Sequence, residues 1–223
     1  MIKSFDRNLK SKGYSLSIVR DWEFSSSKQV LDGKANQPRL AGRDKRLNKA
    51  RQLPEEEEER LWKSEKLGAK TPESLIHTMW WSLTQQFGLR GRQEHHVMRL
   101  EDFRIMKGDD GLEFVEFAEG PTKTRPGGKP RQFQPKLFQT GEERCLLALF
   151  RQCISRRPPN LRRSGPFYLS IKYNRGSGNE VWYKVQPMGE NKINSMMKNI
   201  ISETTLETSE KRFSNHSARK TLV

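Results

Sequence analysis

The chain has 223 residues, of which 33% are hydrophobic and 31% charged, so it is long enough for a real core but carries a heavily solvated surface. No run approaches the roughly 20 apolar residues of a membrane helix, and the opening "MIKSFDRNLKSKG" has no apolar leader core. Forty-two Lys plus Arg against 27 Asp plus Glu give a net charge of +15, which points to polyanions, nucleic acid ahead of an anionic membrane.

In chain order, "SFDRNLKSKGYS" predicts a short helix stopped by Gly13. "EFSSSKQVLDGKANQPRLAG" predicts a second, entered through Ser25–Ser27 and weakened by Gly33 and Pro38. The basic "GRDKRLNKARQ", residues 42–52, reads as a linker. In "LPEEEEERLWKSEKLG" the acidic run follows Pro54, while Lys63, Lys66 and Gly68 come at the end, an order that suits a helix dipole better than an acidic tail. "TPESLIHTMWWSLTQQFGLRG" is the strongest helix: Thr71 can cap it, Pro72 and Glu73 suit its first turn, and Ile76, Trp80, Leu83 and Phe87 share a face. The Trp80–Trp81 pair is accordingly read as core rather than as a base-stacking platform.

From Leu100 the period changes to two. "DFRIMKGDDGLEFVEFAEG" reads as a hairpin turning at Gly108–Gly111, and "RQFQPKLFQ" supplies a third run after the loop "PTKTRPGGKP". A helix follows in "GEERCLLALFRQCISRR", then the Arg-rich loop "SRRPPNLRRSGP" and "FYLSIKY", which reads as a short strand or an extended segment. A further helix is read in "MGENKINSMMKNIISETT", and one begins in "NHSARKT". No internal repeat is present. The expectation is an α+β fold, mainly helical with a small antiparallel sheet, preceded by a short helical region. Cys145 and Cys153 lie within the apolar helical pattern and read as core residues of a reducing compartment. With the histidines scattered at 77, 95, 96 and 216, no metal or other cofactor is expected.

Three elements can hold a phosphate. Arg90, in "FGLRGRQEHH", leaves the buried helix between Gly88 and Gly91, with Glu94 four residues on to hold its guanidinium. Lys123 sits on the Gly- and Pro-rich loop, where an ammonium can reach a phosphate or give a proton to a departing oxygen. His216 and Arg219, three apart, share one helical face and can hold non-bridging oxygens. Each has an ordinary alternative: a solvated helix-end arginine, a solubilising loop lysine, a capping histidine.

Taken together, Arg, a hairpin Lys and His-x-x-Arg resemble the active-site order of tyrosine recombinases of the phage integrase class. The stretches "LPEEEEERLWKSEKLGAKTPESLIHTMWWSLTQQFGLRGRQEHH", "WYKVQPMGENKINSMMK" and "NHSARKT" resemble the Crypton-type domain of DNA transposons, also found captured in animal chromatin proteins with MYM-type zinc fingers or glutamine-rich regions. The likeness implies that residues 1–52 are part of a helical core-binding region with its linker, and 53–223 a catalytic domain lacking its C-terminal end. It implies that Arg90 and Arg219 clamp the scissile phosphate, that Lys123 is the general acid, that His216 assists as acid/base and phosphate ligand, and that Glu94 orients Arg90. Arg92, Arg125, Lys129, Arg156, Arg157, Arg162 and Arg163 are expected to contact double-stranded DNA, with self-association on DNA and a nuclear location.

Two departures stand out. Relatives commonly show Arg-Gly-Gly where this chain has Arg90-Gly91-Arg92, and Tyr14, Tyr168, Tyr173 and Tyr183 all precede His216, none in the position of the family's nucleophile. The expectation is an inactive, truncated recombinase of transposon origin, marginally stable without its last helices. The alternative is a captured, non-catalytic DNA-binding module acting in transcription. A protein-interaction scaffold with incidental charge is a third reading, which the Arg-rich loop and the net charge disfavour.

Overall fold

The computed structural model describes residues 2–40, 50–90, 92–118, 135–174, 178, 180–204, 206 and 213–221. The chain divides into two units, Met1–Lys49 and Ala50–Val223.

In the first unit, α1 (Ile2–Ser11) ends before Gly13, whose φ of +84° turns the chain. The carboxylate of Asp6 accepts from the Ser17 hydroxyl at 3.1 Å and the Ile18 amide at 2.6 Å, so this buried charge organises the turn that follows. A 3-10 turn at Trp22–Phe24 leads into α2 (Ser25–Leu40), which continues through both Gly33 and Pro38.

The second unit is built around α4 (Pro72–Phe87). Thr71 and Ser74 form a reciprocal capping box, with the Ser74 amide on Thr71 Oγ1 at 3.0 Å and the Thr71 amide on Ser74 Oγ at 3.1 Å. Gly88, at φ +61°, closes the other end in the left-handed conformation. The apolar spacing predicts one buried face, yet the helix is buried nearly all round, Trp80 and Trp81 completely. Its polar residues tolerate this because their hydroxyls bond back to the preceding turn: Thr78 to the Ser74 carbonyl at 2.8 Å and Thr84 to the Trp80 carbonyl at 2.7 Å.

The glutamate run starts α3 (Glu55–Lys63), as its order with the terminal cations predicts. Beyond α5 (Gln93–Val97), β1 (Phe103–Lys107), β2 (Glu113–Phe117) and β3 (Lys136–Phe138) form an antiparallel sheet in that order. Phe103 faces Phe117, and Val115 faces Leu137. Phe103 also meets Phe150 and Phe167 at centroid distances of 5.3 and 5.0 Å, which joins the sheet to α6 (Leu146–Ser155) and to the segment beyond it. Both cysteines are buried and free.

A second antiparallel sheet pairs β4 (Leu169–Ile171), which lies in the "FYLSIKY" stretch read as a short strand or extended segment, with β5 (Tyr183–Pro187), which the sequence pattern does not predict. The single helix expected after it is divided at Ser195 into α7 (Glu190–Asn194) and α8 (Met196–Ile201), both burying apolar residues. The last element, α9 (Asn215–Lys220), packs on α4 and α8 and buries Ser217 and Ala218. The fold is α+β with small antiparallel sheets.

Candidate functional site

Arg90 lies two residues beyond the Gly88 turn, after the fully buried Leu89. Its amide donates to Glu94 Oε2 at 2.6 Å, while its Nε stands 3.9 Å from Glu94 Oε1. The sequence suggests a carboxylate gripping the guanidinium; the short bond instead goes to the main chain. Glu94 thus fixes the backbone from which Arg90 projects, and the terminal guanidinium nitrogens have no partner among the described residues. Gly91 lies outside the described residues.

Glu94 stands on α5, a helix of five residues whose sole buried member is His95. His95 is fully enclosed, with Nε2 2.9 Å from Thr84 Oγ1 and Nδ1 2.8 Å from the Tyr168 hydroxyl. Thr84 has one hydroxyl proton and gives it to the Trp80 carbonyl, so it must accept from His95 Nε2–H. His95 Nδ1 then accepts from Tyr168. This assignment needs a neutral imidazole, and burial pushes the His95 pKa down to about 3. Burial likewise raises the Tyr168 phenol well above its ordinary value, which keeps its proton in place. Nothing local in the sequence marks this trio, whose members come from α4, α5 and β4's approach.

Arg92 donates from Nε to Glu190 Oε1 at 2.7 Å and so ties the start of α5 to α7. At the other end of α7, Asn215 Nδ2 donates to the Asn194 carbonyl at 2.9 Å, and its Oδ1 accepts from the Met197 amide at 3.2 Å. One short helix, about 7.5 Å long at 1.5 Å per residue, therefore links the Arg92 corner to the first residue of α9. His216 and Arg219 follow on α9, both exposed and without a hydrogen bond or ion pair among the described residues. The direct pairing is thus Arg90 with Glu94; His216 and Arg219 stand on a separate helix that packs on α4. Lys123, Arg125 and Lys129 lie outside the described residues.

The Arg-rich loop has one member that differs from expectation. Arg157 is not a surface contact: it is 1% exposed, and Nε, Nη1 and Nη2 donate to the carbonyls of Leu161 (2.6 Å), Phe167 (2.6 Å) and Pro166 (2.7 Å). Its planar fork matches three carbonyls that the Pro-containing loop leaves unpaired. Around it, Arg156 lies over the Trp182 ring at 4.7 Å, Arg162 spends Nε on the Arg157 carbonyl at 3.2 Å, and Arg163 is exposed and unpaired among the described residues. The loop's far end docks just after α5, with the Phe167 amide on the Met98 carbonyl and the Leu100 amide on the Gly165 carbonyl, both at 2.9 Å.

Among the described residues, no group of three or more His, Cys, Asp or Glu side chains could hold a metal, and no helix is long and apolar enough to cross a membrane. Tyr168 and Tyr183 are buried, whereas Tyr14 and Tyr173 are exposed. The arrangement offers a rigidly based guanidinium, an exposed His–Arg pair on α9 and a braced basic loop, a set suited to phosphate oxygens.

Residues 53–202 match the family described as a domain of unknown function, DUF3504. This chain belongs to that family. The chain is similar to the human "Uncharacterized protein KIAA1958", 26% identical over an alignment of 216 positions that covers 93% of this chain and 30% of that protein. Human "Zinc finger MYM-type protein 3" is 26% identical over an alignment of 167 positions that covers 66% of this chain and 12% of the relative. Mouse "Zinc finger MYM-type protein 2" is 23% identical over 165 positions that cover 65% and 12% respectively. The chain therefore spans less than a third of the length of these relatives.

Proposed function

We propose that this chain is a DNA-binding domain of the tyrosine-recombinase type, Crypton-like and of transposon origin, that holds the backbone of double-stranded DNA. The observation that carries the reading is the main-chain bond from Arg90 to Glu94, which sets a guanidinium on a rigid corner, while His216 and Arg219 on α9 are exposed and unpaired among the described residues. In this reading Arg90, His216 and Arg219 are phosphate ligands, and Lys123 keeps the general-acid role that the resemblance implies. Arg156, Arg162 and Arg163 add contacts along the duplex, and the net charge of +15 supports the choice of partner.

Of the chain's tyrosines, Tyr168 is occupied by His95. The activity proposed is binding of the DNA backbone. A second reading is favoured by the relatives: the domain makes up 12% of zinc finger MYM-type protein 3, which suits a captured module serving a longer chromatin protein. Both readings place the work on nuclear DNA.

The test is fluorescence anisotropy with a labelled duplex over a range of salt. The expected affinity falls steeply with salt, and Arg90→Ala and Arg219→Ala each reduce the slope of log K against log salt by about 0.9. Binding that ignores salt, or variants that leave the slope unchanged, would overturn the proposal.

A further inference from the structure

The helix that carries Glu94 has little to hold it. α5 has five residues and no side-chain cap at its N-terminus, and Gln93, His96 and Val97 face solvent. A single helical turn of that kind does not persist by its own backbone bonds. The Arg92–Glu190 pair is exposed on both sides and adds little restraint. Just beyond its C-terminus the Met98 carbonyl and Leu100 amide are tied to the Gly165–Phe167 segment; within the helix the one buried residue is His95, bonded on one side to α4 through Thr84 and on the other to Tyr168. Its ring also lies tilted against those of Trp80 and Tyr168, at centroid distances of 5.5 and 5.6 Å. Every polar atom in the line Trp80 carbonyl, Thr84, His95, Tyr168 has a partner of the right polarity, so the position of the ring is set by direction as well as by packing.

We propose that Tyr168 and Thr84, acting through His95, are positioning residues for Arg90: they hold α5 against the end of α4 and so keep the Glu94 carboxylate on the Arg90 amide. The effect on DNA rests on the phosphate-binding reading above, whereas the effect on the Arg90 backbone does not. The line passes through three side chains, from Tyr168 to His95, from His95 to its chain neighbour Glu94, and from Glu94 to Arg90. It differs from general core support because its consequence falls on one cation.

The test uses the whole chain and two shape-conserving variants, Tyr168→Phe and Thr84→Val. Tyr168→Phe removes one hydrogen bond and Thr84→Val two, those to His95 and to the Trp80 carbonyl, while both keep the packing, so that either carries the experiment if the other fails to fold. Two quantities are read: hydrogen exchange at the Arg90 amide, and duplex affinity in a double-mutant cycle with Arg90→Ala. Loss of the brace is expected to speed Arg90 amide exchange by about tenfold or more relative to amides at the centre of α4. It is expected to weaken duplex binding about fivefold in the otherwise unaltered chain and less than about twofold in the Arg90→Ala background. Unchanged Arg90 exchange, or an equal loss of affinity in both backgrounds, would overturn the positioning role. Salt-independent binding by the unaltered chain would remove the nucleic-acid reading alone, and amide exchange would still decide whether Tyr168 and Thr84 position Arg90.

Discussion

The indole N–H of Trp81, at the centre of α4, donates to Glu58 Oε1 on α3 at 2.9 Å, and the other oxygen of that carboxylate accepts from Gln85 at 3.2 Å. The acidic run therefore does more than begin a helix, since one of its members satisfies a polar atom of the core. Glu58→Ala is expected to leave a buried indole donor without a partner and to lower unfolding stability by about 1–3 kcal/mol, with Glu58→Gln within about 1 kcal/mol of the original chain. Urea titration of the three proteins reads this directly, and equal stabilities would show that the bond contributes nothing.

Arg157 provides a second stability test. Replacing it with alanine removes three hydrogen bonds and strands three carbonyls beneath the loop, so a loss of at least about 3 kcal/mol is expected. Lysine keeps the charge but cannot reach three acceptors at once, and should recover less than half of the loss. Arg163→Ala, by contrast, should leave thermal stability within about 0.5 kcal/mol, because that side chain is exposed and unpaired among the described residues. Equal melting temperatures for Arg157→Ala and Arg163→Ala would contradict the assignment.

Acid should weaken the fold through its histidines. Burial holds His95 at a pKa of about 3, and burial, partly offset by the bond to the Lys66 carbonyl, holds His77 at about 4, both below the ordinary 6.5. Both stay neutral when folded and take up protons when unfolded. The unfolded chain therefore binds more protons below pH 6.5, and stability falls as the pH drops. The contribution is complete above about pH 6.5 and is lost at up to about 1.4 kcal/mol per pH unit for each histidine. The unfolding free energy measured between about pH 6 and 5 should fall in the original chain and fall half as steeply in His77→Gln. A flat profile would show that neither imidazole is held neutral by the fold.

The Arg92–Glu190 pair gives a functional prediction. If Arg92 meets a phosphate, Glu190 competes for it, and Glu190→Gln should release the guanidinium. Duplex affinity should then rise, with the slope of log K against log salt steeper by up to about 0.9, while stability changes by less than about 0.5 kcal/mol because both partners are partly exposed. Unaltered affinity would remove Arg92 from the DNA contacts.

The sequence reads well wherever the deciding interaction is local. Thr71, Ser74 and Pro72 start α4 and Gly88 ends it, and each of these acts within one helical turn of its own position. The β1–β2 hairpin around Gly108–Gly111 and the start of α3 after Pro54 are legible for the same reason. The short α5, the β4–β5 pairing and the break at Ser195 leave weak periodic signals, because five residues are too few to establish a helical period and β5 is buried only at Tyr183.

The candidate site divides along the same line. Arg90, Glu94, His216 and Arg219 can be chosen from residue type and nearness in sequence, and for His216 and Arg219 a spacing of three on one helix sets the shared face. That Glu94 binds the Arg90 amide, and that Arg157 alone among its neighbouring arginines turns inward, does not follow from spacing. Arg157 is held by carbonyls that become available only when the loop folds over it, and His95 by a tyrosine 73 residues away. The sequence alone determined the longer helices, the hairpin and which side chains could serve a phosphate, because those depend on periodicity, local capping and residue type. Only the tertiary structure decided which polar groups are enclosed, because burying an arginine or a histidine is favourable only where distant parts of the chain supply every partner.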